Sequence, residues 1–367
     1  MGCVQSRHWN LFRAARCGRL AERDAKGAAG EMTLRGKLLI ENFHSRCLEG
    51  NPLGDPAVRE IPVYLPEGYA AAHEYPLLVI LAGFTGSSRT HLNWMPWGET
   101  MPERIERLIA TRKISPCVVI FPDPFTRLGG CQYLNSPAVG DYEDHLTGEL
   151  IPWAREQFNA GRKPAQTAIA GKSSGGFGAF VLAARHPDLF GWMIVHSGDC
   201  YFDYCYLPDF PAAAGEIRKA GGPEEFLKKI GMPGLQSKSH FAAVNTVAMA
   251  ACYSPNPESA WRFDLPFDWE TGEMKSDVWA RWLTHDPVRM IERADVIANL
   301  RKLKGIYIEC GTSDEFNLQW GARILAKKLR AARITVEHRE FDGGHMNVHY
   351  RYDESLAWLG EGMRAEG

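Results

Sequence analysis

Gly171-Lys172-Ser173-Ser174-Gly175 sets one serine between two glycines, each two residues away. An apolar, β-branched run at 167–170 precedes it, and the alanine-rich stretch 177–185 follows with helical character. Strand, sharp turn and helix form the context of a nucleophile elbow, in which the serine takes strained dihedrals. Side chains two residues before and two after would collide with neighbouring backbone, so glycine is wanted at both places. Ser173 meets that rule. Ser174 does not, because Lys172 stands two residues before it. A neutral hydroxyl is a poor nucleophile until a base takes its proton. The rest of the chain must therefore supply a base, an orienting acid and donors for a developing oxyanion.

Such partners need strands to carry them. Segments 34–48 and 58–65 read as an antiparallel hairpin, with Pro62 pointing to an edge position for the second strand. Further strands are expected at 75–82, 117–121, 167–170, 192–195, 305–310 and 334–341. Helices are expected at 102–112, 144–158, 177–185, 288–302, 318–332 and 350–363. Eight strands, mostly parallel with helices between them, predict a doubly wound α/β sheet. From 200 to 285 the alternation stops, with short helical pieces at 212–219, 224–230 and 241–251. That block is too long for a plain loop and reads as an inserted helical cap on a single domain that starts near Met32.

In such sheets ligands sit beyond the carboxyl ends of the strands. Gly83 and Phe84 follow one strand there, Ser173 a second, Asp199 a third, Asp314 and Glu315 a fourth, and His345 the last. Serine, acid and histidine thus arrive in the chain order of an α/β-hydrolase triad. His345 is the expected general base and acid, and Asp314 the carboxylate that orients it, with Asp199 and Glu315 as competitors. The backbone N–H groups of Ser174, at the start of the elbow helix, and of Phe84 are the expected oxyanion donors. Trp94, Tyr133, Asp199 and Phe202 are candidate substrate-binding residues. His345 and His349 have the spacing of a metal pair, but no third ligand is evident, so no metal is expected. Lys172 either faces solvent, pairs with a buried acid such as Glu149, or puts a cation beside the nucleophile; a structural role is expected.

The bulk properties narrow the classes. The 367-residue chain carries a formal net charge of −2 and no long charged run, which argues against nucleic acid or an anionic membrane as partner. The longest apolar run, 75–84, is strand-length and gives no transmembrane segment. Nine scattered cysteines without a C-x-x-C pair favour free thiols and a reducing, cytoplasmic setting. Residues 1–31 read as a disordered extension or transit-like peptide, although Met1-Gly2-Cys3 also matches an acylation pattern. The oligomeric state is left open, and a homo-oligomer is compatible with the sequence.

On Leu81-Ala-Gly-Phe-Thr-Gly86, Glu149-Leu-Ile-Pro152, Gly171-Lys-Ser-Ser-Gly-Gly176, Gly311-Thr-Ser-Asp314 and Gly343-Gly-His345, residues 34–360 resemble the Putative esterase family of α/β-hydrolases. Members include esterase D, S-formylglutathione hydrolase, and feruloyl and enterochelin esterases. The resemblance implies serine ester hydrolysis through an acyl-enzyme on Ser173, without metal or organic cofactor, with His345, Asp314 and the Phe84 and Ser174 amides in the family's functional positions. Lys172 and Ser174 depart from the residues relatives often carry beside the serine, and the 200–285 block has no matched counterpart. The expectation is a serine carboxylesterase for a small-molecule ester. Acyl transfer or amide cleavage would use the same triad. A non-catalytic binding protein on the same fold is the reading from another class.

Overall fold

The computed structural model describes residues 34–94, 98–232 and 237–365. The expected extension at 1–31, with its Met1-Gly2-Cys3 pattern, lies outside the described residues. Residues 34–367 group as one unit.

Among the described residues ten strands form in chain order: β1 (Lys37–His44), β2 (Val58–Leu65), β3 (Leu77–Leu81), β4 (Val118–Ile120), β5 (Asn135–Ser136), β6 (Gly140–Asp141), β7 (Thr167–Lys172), β8 (Trp192–His196), β9 (Gly305–Gly311) and β10 (Glu337–Phe341). β5 and β6 make a small separate ladder, and the other eight form one sheet in the order β1-β2-β4-β3-β7-β8-β9-β10. In this sheet β2 runs antiparallel to β1 and β4 and the other pairs are parallel, while β5 and β6 pair antiparallel. This is the α/β-hydrolase architecture that the alternating pattern implied.

The period of two sorts the strands into two cores. Leu78, Ile80, Ala168, Ala170, Ile194 and Tyr307 face one side, against the helices Met101–Ala110 and Tyr352–Ala365. Leu77, Val79, Leu81, Ile169, Met193 and Ile308 face the other, against Ser174–Arg185. Continuous apolar strands follow from helices on both faces. The exposed edge strand β10, Glu-His-Arg-Glu-Phe, is instead charged, which discourages edge-to-edge pairing.

Two expectations are corrected. β2 is not an edge, because β1 covers it. Pro62 is tolerated because its carbonyl accepts from Phe121 N–H at 3.1 Å just beyond the ladder with β4, which pairs only Val63 and Tyr64. Its missing N–H therefore falls at the end of that ladder. The helix expected at 288–302 is broken into Pro287–Met290 and Ala294–Leu300. Its buried apolar positions are Val288, Met290 and Ile291, then Val296 and Leu300. The five-residue step from 291 to 296 does not keep one helical stripe.

The stretch between β8 and β9 is helical, with Phe210–Ala220, Lys238–Tyr253 and Ser276–Leu283 as its longest pieces. Asp286 closes its base. That buried carboxylate accepts from Tyr201 N–H at 2.8 Å, Phe202 N–H at 3.1 Å and Val288 N–H at 3.0 Å. One side chain thus holds both ends of the block.

Glu309 on β9 anchors the segment after β10. Arg351 donates to both of its oxygens at 2.7 Å, and Tyr307 O–H donates at 2.5 Å. Burial pushes the Glu309 carboxyl up, but these bonds and the His196 imidazole outweigh it and hold the group at about 2 against an ordinary 4.5. A depressed carboxyl stabilises the fold above its unfolded value and loses that contribution as pH falls through the folded value. Glu309→Gln is therefore expected to cost on the order of 3 kcal/mol at neutral pH. In urea unfolding, the gap between wild type and variant should narrow as pH drops from 4.5 towards 2.

Candidate active site

β7 ends at Lys172 and the next helix starts at Ser174, so the chain reverses across one residue. Ser173 takes φ 59 and ψ −129, a region that side chains rarely occupy. Its N–H donates to the His196 carbonyl at 3.0 Å, and its carbonyl accepts from Phe177 N–H at 2.9 Å. The two glycines are sterically required. A methyl on Gly171 would stand 2.2 Å from the Gly175 carbonyl oxygen, and one on Gly175 would stand 2.4 Å from the Leu81 oxygen.

His345 reaches this serine from the loop after β10. Its Nε2 lies 3.1 Å from Ser173 Oγ, and its Nδ1 lies 2.8 Å from Asp314 Oδ2. With the proton on Nδ1, the ring donates to Asp314 and Nε2 is free to accept the serine proton. Asp314 Oδ1 also accepts from Phe316 N–H at 2.9 Å. Burial raises the Asp314 carboxyl, but the hydrogen bond and charge of His345 outweigh it and hold the group below its ordinary value. The loop fits by close backbone approach, since a methyl on Gly311 would meet the Gly343 carbonyl at 2.4 Å.

The two competing carboxylates lie elsewhere. Glu315 accepts from the backbone N–H of His345 at 2.5 Å and so braces the histidine's main chain. Asp199 accepts from Ser174 Oγ at 2.9 Å, Tyr206 O–H at 2.8 Å and Gln132 Nε2 at 3.3 Å, and makes no hydrogen bond to His345. Burial pushes Asp199 up more strongly than those donors pull it down.

The Phe84 loop abuts the elbow. A methyl on Gly83 would sit 3.3 Å from Ser173 Cβ. Thr85 N–H to Gly129 O at 2.8 Å and Gly86 N–H to Gly83 O at 2.9 Å fix the loop. Among the described residues neither the Phe84 nor the Ser174 N–H donates to a protein acceptor. The Ser174 amide also opens the buried helix Ser174–Arg185, whose dipole favours negative charge.

A cavity of about 450 Å³ lies over Ser173 and His345. Phe84, Tyr206, Phe241, Asn245 and Phe316 line it, as do Thr90, Lys172 and His349. Asp199 also lines it. Tyr133 and Phe202 do not. Tyr133 is core, with its O–H donating to Ala82 O at 2.7 Å and its ring filling the space over Gly178. Phe202 is fully buried among Phe177, Tyr206 and Tyr253. Trp94 is 78% exposed and away from the cavity wall. Glu149 is not a partner of Lys172, because it is held by Ser45, the Arg46 and Cys47 amides and His145.

Phe241, Asn245 and Phe316 escaped the sequence reading. Phe241 and Asn245 lie four apart on the helix Lys238–Tyr253, a spacing that puts them on one face. The spacing was legible; that this face meets the elbow was not. Among the described residues, no three His, Cys, Asp or Glu side chains converge as metal ligands would. The seven described cysteines are free, and no described helix is long and apolar enough to cross a membrane.

Sheet order, elbow and strand-end side chains define an α/β-hydrolase. Residues 57–357 match the model of the Putative esterase family, and the chain belongs to that family. A stretch of 144 residues, 38% of this chain, is 29% identical to an endo-1,4-beta-xylanase/feruloyl esterase of Xylanibacter ruminicola. The match spans only 19% of that relative's length. Among solved structures, a ferulic acid esterase superposes with TM-score 0.58 at 18% identity, over 90% of this chain and 100% of that one. An S-formylglutathione hydrolase from Agrobacterium tumefaciens superposes with TM-score 0.55 at 16% identity, over 91% and 98%. At such identities the likeness is one of fold.

The elbow geometry sets a stability test. Gly171→Ala is expected to destabilise by about 2–3 kcal/mol, because the clash is with backbone that cannot move aside. Gly148→Ala, where an added methyl meets nothing within 4 Å, should be neutral or slightly stabilising. Urea midpoints of the two variants check both.

Proposed function

We propose that the chain is a serine carboxylesterase acting on a small-molecule ester, with Ser173 as nucleophile, His345 as general base and acid, and Asp314 as orienting carboxylate. The observation that carries this reading is the hydrogen-bonded series Ser173–His345–Asp314 at an elbow with positive φ. Ser173 Oγ attacks the ester carbonyl carbon as His345 Nε2 takes its proton. Charge moves to the carbonyl oxygen, where the Phe84 and Ser174 amides receive it; one such donor is worth about 3 kcal/mol of barrier. The tetrahedral adduct collapses, the C–O bond to the alcohol breaks, and His345 returns the proton to the leaving oxygen. Water, deprotonated by the same imidazole, then cleaves the acyl-enzyme to acid and free serine.

Membership of the esterase family and the relatives named as ferulic acid esterase and S-formylglutathione hydrolase support acyl-ester chemistry. A 450 Å³ cavity suits a small molecule. Free thiols support a reducing, cytoplasmic setting. The reaction as drawn uses only side chains and backbone of this chain.

A fluorophosphonate should label wild type on Ser173. Ser173→Ala should abolish labelling and lower p-nitrophenyl ester turnover by about a millionfold. Asp314→Asn should lower kcat by about ten-thousandfold, because it favours the wrong imidazole tautomer. Full turnover by Ser173→Ala would sink the esterase reading in favour of a binding protein. A larger loss in Asp199→Asn than in Asp314→Asn would reassign the acid. Products formed with an added alcohol acceptor separate hydrolysis from acyl transfer.

A further inference from the structure

Lys172 closes β7 and directly precedes the proposed nucleophile. Its side chain lines the cavity together with that of His349. Among the described residues neither makes a hydrogen bond or ion pair. An ammonium carries three N–H donors and needs acceptors for them.

The nearby acids do not supply those acceptors. Asp314 is engaged by His345 and the Phe316 amide, Glu315 by the His345 amide, and Asp199 by Ser174, Tyr206 and Gln132. Burial lowers the Lys172 ammonium despite the pull of Asp314, Asp199 and Glu315. His349 is lowered by burial and then by the positive charges of Lys172 and Arg104. On the same wall His91 is held neutral, at about 3, chiefly by burial, so it adds no charge. The cavity therefore holds one half-buried cation and one neutral imidazole, neither with a protein partner among the described residues.

We propose that Lys172 and His349 form an anion subsite that receives a carboxylate carried by the ester substrate. A monoanion matches one ammonium. A phosphate dianion would leave excess negative charge beside Asp314 and Glu315. Holding the substrate at a second point, away from the reacting carbonyl, fixes that carbonyl over Ser173. The inference rests on the esterase reading and narrows its substrate class. The carboxylate belongs either to the acyl part or to the alcohol, and matched substrates tell them apart.

The test compares kcat/KM for two pairs with wild type, Lys172→Met and Lys172→Arg. The acyl-side pair is p-nitrophenyl hydrogen succinate against its methyl diester. The alcohol-side pair is p-carboxyphenyl acetate against its methyl ester. In one pair wild type should prefer the acid by about tenfold or more, expressed mainly in KM. Lys172→Met should lose that preference and Lys172→Arg keep it, with circular dichroism melts showing all three folded. If neutral esters are cleaved but neither acid is preferred, or if the preference survives Lys172→Met, the subsite is wrong and the esterase reading stands. If wild type cleaves no ester, the esterase reading fails and calorimetry decides the subsite alone. Succinamate or p-hydroxybenzoate should then bind wild type at least about tenfold more tightly than Lys172→Met. Equal affinity overturns the proposal.

Discussion

The site depends on one close approach. The β7 backbone at Gly171 passes so near the following helix that a methyl would lie 2.2 Å from the Gly175 carbonyl. This closeness forces the chain to reverse at Ser173 with φ 59, at a cost of about 1–3 kcal/mol. The helix Ser174–Arg185 offsets that cost, since all of it but Arg185 is buried against the sheet. Its composition, glycine and alanine with a few large apolar side chains, is what lets it lie so close. The strain lifts Ser173 Oγ out of the sheet and leaves the next amide undonated at a helix start. The proposed nucleophile and one proposed oxyanion donor both follow from this single turn.

The same device recurs where β9 ends. Gly311 lets the Gly343-Gly344 backbone pass close by, and Glu309 ties β9 to Arg351 beyond it. The histidine loop is thus pinned on both sides of His345. The helical block between β8 and β9 is joined to the elbow rather than laid over it. Ser174 Oγ donates to Asp199, which also accepts from Tyr206 in the block, and Tyr206 packs on Tyr253 and Trp282. Asp286 fastens the block's two ends at its base. The residue that follows the nucleophile therefore shares a buried polar network with the block that shapes the cavity.

What was legible in the sequence follows from the range of the forces involved. Ser173, Asp314 and His345 could be read because each sits at a strand end marked by glycines, and those glycines answer to local backbone contacts. The position of the buried strands along the chain was legible from apolar runs. The position of Pro62 was not, since whether β1 covers β2 depends on long-range pairing. The break between Met290 and Ala294 was present as a five-residue step between buried positions, a weaker signal than a proline. Tyr133 and Phe202 look like pocket aromatics in one dimension. In three dimensions the space over Gly178 and the ring cluster around Tyr253 absorb them. Phe241 and Asn245 share a helix face by their spacing, but which neighbour that face meets is set by long-range packing.

Two buried carboxylates stand near the serine, and their surroundings set them apart chemically. Asp314 meets an imidazole and a backbone amide, and is driven below its ordinary value although burial opposes this. Asp199 meets only neutral donors, and burial prevails. A carboxylate that must stabilise an imidazolium has to be ionised when the proton arrives. Asp314 satisfies that condition through the partner it orients. Asp199 would gain little by approaching an imidazolium, because Ser174, Tyr206 and Gln132 already occupy the oxygen that faces them. Divergent environments for two like groups are a physical basis for dividing their roles. On the proposed reading Asp314 serves proton transfer, whereas Asp199 joins the elbow to the helical block through Ser174 and Tyr206.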